Sequence, residues 1–223
     1  MKPSFAFLFP YLFMGFFHTA NSQSINWKSL DSTNLLLGLG IGWDYSLAYS
    51  LGYAHKVEAK TLLLLNANIT IPSGKMPLDD FRTRMGAQIL VLKKSNIMAA
   101  LALNGIYRRY ESPLARLQNL GLEMGGTFGY YKQSWFAAGE LGFDKAIFTH
   151  FRHSDTFKET ILQEVQDGWY KPTTGGHFSY GLLGGYSFGQ SDIILNIGMV
   201  RTQDFKSSPL IPYYLRLGYN FRF

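Results

Sequence analysis

From Tyr213 to Phe223 the chain alternates without a break. Tyr213, Leu215, Leu217, Tyr219, Phe221 and Phe223 share one face; Tyr214, Arg216, Gly218, Asn220 and Arg222 share the other. Strict period two over this length specifies an extended strand with one apolar face and excludes a helix. The pattern recurs upstream. Leu120, Leu122, Met124, Gly126, Phe128 and Tyr130 oppose Gly121, Glu123, Gly125, Thr127 and Gly129. Trp135, Ala137, Gly139, Leu141 and Phe143 oppose Phe136, Ala138, Glu140, Gly142 and Asp144. Met85, Ala87, Ile89 and Val91 oppose Arg84, Gly86, Gln88 and Leu90, and Leu63 to Ile71 and Leu35 to Tyr53 alternate likewise. One face of each segment suits lipid or a core; the other mixes glycine with charge or amide groups.

These segments predict strands at 35–43, 47–57, 61–71, 81–92, 97–110, 120–131, 135–149, 176–188, 192–203 and 211–223. The run from Leu35 to Tyr53 and beyond fits one long strand, or two strands joined by Asp44-Tyr45-Ser46. The hairpin is preferred, because a membrane strand needs only 9–11 residues. Short connections (58–60, 93–96, 132–134, 189–191) interleave with longer ones (72–80, 111–119, 150–175, 204–210). That rhythm matches the short periplasmic turns and long external loops of outer-membrane barrels. An even strand number puts both termini on the short-turn side. The expected fold is all-β: a closed antiparallel transmembrane barrel of about ten strands, eight being the alternative count. Thr156-Phe157-Lys158-Glu159 reads as a capping box, and Phe157, Ile161 and Val165 form a helical stripe ending at Gly168. A short helix is therefore expected in one external loop.

Composition agrees with a lipid-facing sheet. Aromatic residues make up 16% and charged residues only 16% of 223 residues, against about a quarter charged in soluble domains. Rings at strand ends, such as Trp43, Tyr130, Trp135, Phe188, Tyr219 and Phe223, suit interfacial belts. Net charge is +6, but Lys and Arg are scattered without a basic run. Attraction to anionic lipid and lipopolysaccharide is preferred to nucleic acid, which is not an expected partner. With no cysteine, disulfides, thiol catalysis and a lipoprotein anchor are excluded.

Residues 1–22 read as a cleaved signal peptide. Lys2 supplies the positive start, Phe5 to Phe17 the apolar stretch, and Ala20-Asn21-Ser22 the small residues before cleavage at Gln23. Thirteen apolar residues are short for a spanning helix of about 20. Residues 23–34 are polar and read as a periplasmic N-terminal extension, leaving 35–223 as the barrel.

The ending Tyr219-Asn220-Phe221-Arg222-Phe223 resembles the C-terminal signal of bacterial outer-membrane barrels. Cleavage before Gln23 resembles leaders of outer-membrane proteins from the Bacteroidetes group. The resemblance implies that Tyr219, Phe221 and Phe223 form the assembly signal read by the barrel-assembly machinery. It identifies an architecture rather than an activity.

Inward faces carry Arg84, Arg108, Glu123, Glu140, Asp144, Arg216 and Arg222. A barrel of ten strands is narrow, and buried charges need partners. They are expected to pair across the lumen as a plug, with inward glycines making room for arginine side chains. A structural or partner-binding role follows, with another envelope protein as a possible partner. The alternatives are a narrow pore lined by the same charges and a lipid- or peptide-processing hydrolase. For the hydrolase, His177-Phe178-Ser179 resembles the His-x-Ser pair of outer-membrane lipid A deacylases. But Phe178, Tyr180 and Leu182 take the lipid face, and no acidic partner of His177 is evident. His150, His153 and Asp155 lie near the external rim, but their spacing alone specifies neither catalysis nor a metal. No nucleotide or metalloprotease motif occurs. No catalytic residue, metal or cofactor is expected.

Overall fold

The computed structural model describes residues 24–43, 46–57, 60–74, 78–160, 165–172, 176–205, 209 and 211–223. The leader, and Asp44, Tyr45 and Ile161 of the readings above, lie outside them. The strands are β1 (Leu35–Trp43), β2 (Leu47–Val57), β3 (Leu63–Pro72), β4 (Asp80–Lys94), β5 (Ile97–Glu111) and β6 (Ala115–Tyr131). Then come β7 (Trp135–His153), α1 (Asp155–Thr160), β8 (Gly168–Tyr170), β9 (Gly176–Phe188), β10 (Ser191–Thr202) and β11 (Tyr213–Arg222).

Ten strands close on themselves. Each pairs antiparallel with its sequence neighbour, and β1 pairs with β11 along Leu36↔Arg222 to Trp43↔Leu215. The strand β8 adds a short flap on the extension of β7. Closure satisfies the backbone groups that open edges would leave in hydrocarbon. The last residue completes the seam: the Phe223 N–H donates to the Leu35 carbonyl at 2.9 Å, and its carbonyl accepts from Asn34 at 3.1 Å. Trp43 and Leu47 are directly paired, so the hairpin reading of 35–57 holds.

The outward parity is apolar almost throughout, as in Leu37, Leu39, Ile41, Leu101, Leu103, Leu122, Leu182, Leu195 and Leu217. This is the inverse of a soluble sandwich and matches a lipid-facing exterior. At the short-turn end Tyr130 and Trp135 pack 5.7 Å apart, with the Lys132 ammonium 5.6 Å from the Trp135 ring. Such a pairing suits the headgroup level. No described helix is long and apolar enough to cross a membrane.

Three expectations need correction. The connection expected at 111–119 is a tight turn, because β5 runs to Glu111 and β6 begins at Ala115. Ser112 Oγ and the Ala115 backbone exchange bonds there, and Arg116 pairs with Glu111 at 2.7 Å. The strand β7 has 19 residues and continues to His153, so the β6–β7 hairpin runs well past the 9–11 residues a membrane strand needs. Its parity switches at a bulge: Leu120 pairs Phe148 and Gly121 pairs Ala146, leaving Ile147 extra. Finally, α1 starts earlier than the capping box implied, because the Ser154 hydroxyl accepts the Phe157 N–H at 3.2 Å. Gly168 opens β8 with a φ of 150° rather than ending a helix.

Candidate functional site

The lumen has two tiers. Toward the short turns the inward residues are apolar: Leu36, Leu64, Met98, Phe136, Leu183 and Ile194 are all buried. The inward face was expected to mix glycine with charge or amide groups, with Leu90 and Phe136 among them. This tier differs because residues 24–33 are placed inside this mouth. Ile25, Trp27 and Leu30 are each 1–2% exposed and belong to the same cluster. The segment turns through a 3₁₀ helix, Ser29–Ser32. Asn26 Nδ2 donates to Ser187 Oγ at 2.7 Å and to the Lys132 carbonyl at 3.0 Å. Asn220 Nδ2 donates to the Ser24 carbonyl and Arg222 Nη1 to the Ser29 carbonyl, each at 2.8 Å. Lys56 Nζ reaches the Leu30 carbonyl at 3.2 Å. Burying the three apolar side chains contributes about 5–9 kcal/mol, and five such bonds about 3–7 kcal/mol. Ordering nine residues costs about 9–18 kcal/mol. Gain and cost are of the same size.

Above this plug the lumen is polar. Arg84 Nε donates to Glu123 Oε2 at 2.8 Å, and Asn104 Nδ2 donates to Glu123 Oε1 at 3.0 Å. Asn66 in turn donates to Asn104 at 2.9 Å. The other expected charges find nearer partners than one another. Arg108 pairs with Asp80 at 3.1 Å. Glu140 accepts from the Tyr214 hydroxyl and, at 2.9 Å, from Asn196 Nδ2. The Arg216 guanidinium sits 4.7 Å from the Tyr214 ring centre. Arg222 lies 3.3 Å from Asp192, at the level of the plug. Inward glycines make room as expected, for rings as well as arginines. A Cβ on Gly42 would stand 2.8 Å from Arg216 Cγ, and one on Gly198 would stand 2.2 Å from the Tyr214 hydroxyl.

A cavity of about 140 Å³ remains in this tier, reaching the long-loop rim at Pro72 and Asp80. One wall is built from small residues of β1, β2 and β11, including Gly40, Gly42, Ser50 and Gly218. The facing wall carries Arg82, Arg84 and Arg108, while Arg216 stands on β11 directly across from Gly42, and Asp80 is the one lining carboxylate among the described residues. Glu123, Glu140 and Asp144 are lumenal but do not line it. Ser24, at the start of the plug, is also part of its lining. Arg82, Asp80, Asp192 and the plug escaped the sequence reading. Arg82 and Asp80 share the inward parity of Arg84 and could have been found by extending that face.

Asp144 stands directly across from His177, with Nδ1 and Oδ1 3.8 Å apart. An acidic neighbour at that register was not foreseen; the separation exceeds a hydrogen bond. Ser179 is buried and, like His177, does not line the cavity. His150 packs edge-on against Trp169, and His153 against Phe157. Among the described residues no group of three His, Asp or Glu side chains is placed to hold a metal.

No family model matches the sequence, and no curated protein matches it. Solved barrels resemble the structure at low identity. One is a KdgM porin, 8% identical with a TM-score of 0.42, covering 84% of this chain and 99% of that one. Another is the CymD monoaromatic hydrocarbon channel, 8% identical with a TM-score of 0.35, covering 91% and 95%.

Proposed function

We propose that this chain is a bacterial outer-membrane barrel whose lumen takes up small anionic solutes from the long-loop side. The observation that carries the reading is the lining of the cavity. Arg82, Arg84 and Arg108 stand across from a wall of small residues into which β11 brings Arg216, and Asp80 is the single lining acid among the described residues. Guanidinium groups present forked donors that match carboxylate, phosphate or sulfate oxygens. In a narrow, partly dehydrated lumen such a wall favours anions. The apolar exterior and its aromatic belt support insertion in lipid, with lipopolysaccharide at the long-loop end. The C-terminal strand supports delivery by the barrel-assembly machinery, and the leader supports export. A Bacteroidetes origin rests on cleavage before Gln23 alone. The lumenal His177, Ser179 and Asp144 are read as packing rather than as a hydrolase.

The test is reversal potential across planar bilayers under a potassium chloride gradient. Anion preference is expected, falling several-fold in Arg82→Gln/Arg216→Gln. Cation preference, or selectivity indifferent to that pair, would refute the reading. One observation favours the second reading, a closed structural or partner-binding barrel: the apolar plug at the short-turn end. That reading predicts no conductance in any variant.

A further inference from the structure

We infer that residues 24–32 form a displaceable gate that closes the short-turn end of the lumen. The inference rests on reading the lumen as a passage for solutes and adds how that passage is controlled. The cavity above is polar and reaches the long-loop rim, while at its other end it meets Ser24. Below that point the cross-section is occupied by Ile25, Trp27 and Leu30, packed on inward side chains of the barrel wall.

The barrel is complete without the segment: ten strands pair around the full circuit, and β1 begins only at Leu35. The segment is continuous with the wall through Thr33 and Asn34, where Thr33 is already extended. All its other ties are non-covalent. Those from its side chains go to a short turn and to the end of β9, as in Asn26 to the Lys132 carbonyl and to Ser187. Those from the wall come from long side chains reaching its carbonyls, as in Arg222 to Ser29 and Lys56 to Leu30. Such bonds can be exchanged for water without breaking the sheet ladder. The throat left behind would be lined by Leu64, Met98, Phe136 and Leu183, apolar groups that would favour reseating. The gate thus works as a tethered ligand for its own barrel, with a local concentration set by a short link.

The chain has no cysteine, so a single engineered pair reports cleanly. Asn26 Nδ2 and Ser187 Oγ lie 2.7 Å apart, and Asn26→Cys/Ser187→Cys would lock the segment to the β9 end. In planar bilayers with potassium chloride, the oxidised pair is expected to conduct at least tenfold less than the same protein after reduction. Removal of residues 24–32 is expected to give steady conductance. Folding of each variant is checked by a shift in gel mobility on boiling. Should the pair not fold, Trp27→Ala serves instead and should raise the open fraction several-fold. Equal conductance of the oxidised and the reduced pair, or an unchanged open fraction in Trp27→Ala, would overturn the gate and leave the passage standing. Silence of the wild type, the reduced pair and the deletion alike would overturn both.

Discussion

Arg84 and Glu123 offer the sharpest quantitative test of the polar tier. Glu123 is 1% exposed and Arg84 7%, with Nε and Oε2 2.8 Å apart. Losing one partner of a buried pair costs about 3–5 kcal/mol, because the survivor keeps a charge it can no longer neutralise. The two losses are not equivalent here. Arg84 lines the cavity, so in Glu123→Met its guanidinium can turn toward water, and the cost should sit near 3 kcal/mol. Glu123 does not line the cavity, so in Arg84→Met its carboxylate is stranded and the cost should approach 5 kcal/mol. Removing both leaves chiefly the Asn104 amide without its acceptor, a penalty of about 1–3 kcal/mol. The coupling energy is then about 5–7 kcal/mol, at the upper end of the range of close charge pairs. Urea unfolding in lipid vesicles, followed by tryptophan fluorescence, measures all four corners of the cycle. A double variant as unstable as the two single changes added together would refute the reasoning. So would Arg84→Met within about 1 kcal/mol of wild type.

Leu141 is 70% exposed at mid-strand, so Leu141→Arg should impair membrane assembly by about 2–4 kcal/mol. Glu140→Gln, one residue away on the lumenal face, should cost only about 1 kcal/mol; comparing refolding yields in vesicles decides it. Phe223→Ala keeps the backbone bonds to Leu35 and Asn34 but removes the ring that packs edge-on against Phe221. Outer-membrane abundance should fall sharply in cells while refolding into detergent stays near normal, and a parallel fall in both would contradict a recognition role. In the external loop, the Lys158 ammonium, then the His153 backbone N–H and ring, hold the Asp167 carboxyl well below the usual carboxylate range. A depressed folded value means this contribution is complete above the unfolded value of about 3.9 and is lost as pH falls through the folded one. Protease protection of the loop, wild type relative to Asp167→Asn, should therefore be constant from neutral pH to about pH 5. It should disappear only in strong acid, and a difference already lost at pH 5 would contradict the assignment.

The wall of the barrel was legible and its filling was not. Alternation reports which way a side chain points, so β1, β2 and β9 emerge with their observed limits, and Leu141 and Glu140 fall on opposite faces. It is silent where a bulge adds a residue, as at Ile147, where the expected strand runs straight on to 149. It also says nothing about what an inward apolar group touches. Met98, Phe136 and Leu183 point inward, and the alternation does not mark them as part of the buried cluster that includes Trp27. The segment 24–32 has no period of its own, since it packs by one tryptophan and two aliphatic side chains around a short turn. Arg108 was placed on the correct face, yet its partner Asp80 stands at the edge of β4, just before the expected strand.

The plug is seated partly by the far end of the chain. Asn220 and Arg222 belong to β11 and hold the carbonyls of Ser24 and Ser29. Their positions are defined only once β11 has zipped onto β1 and Phe223 has bonded Leu35. Two of the bonds that hold this N-terminal segment therefore depend on the strand farthest from it in sequence. A barrel lacking its final strand would lack both the closing edge for β1 and these two holds on the plug.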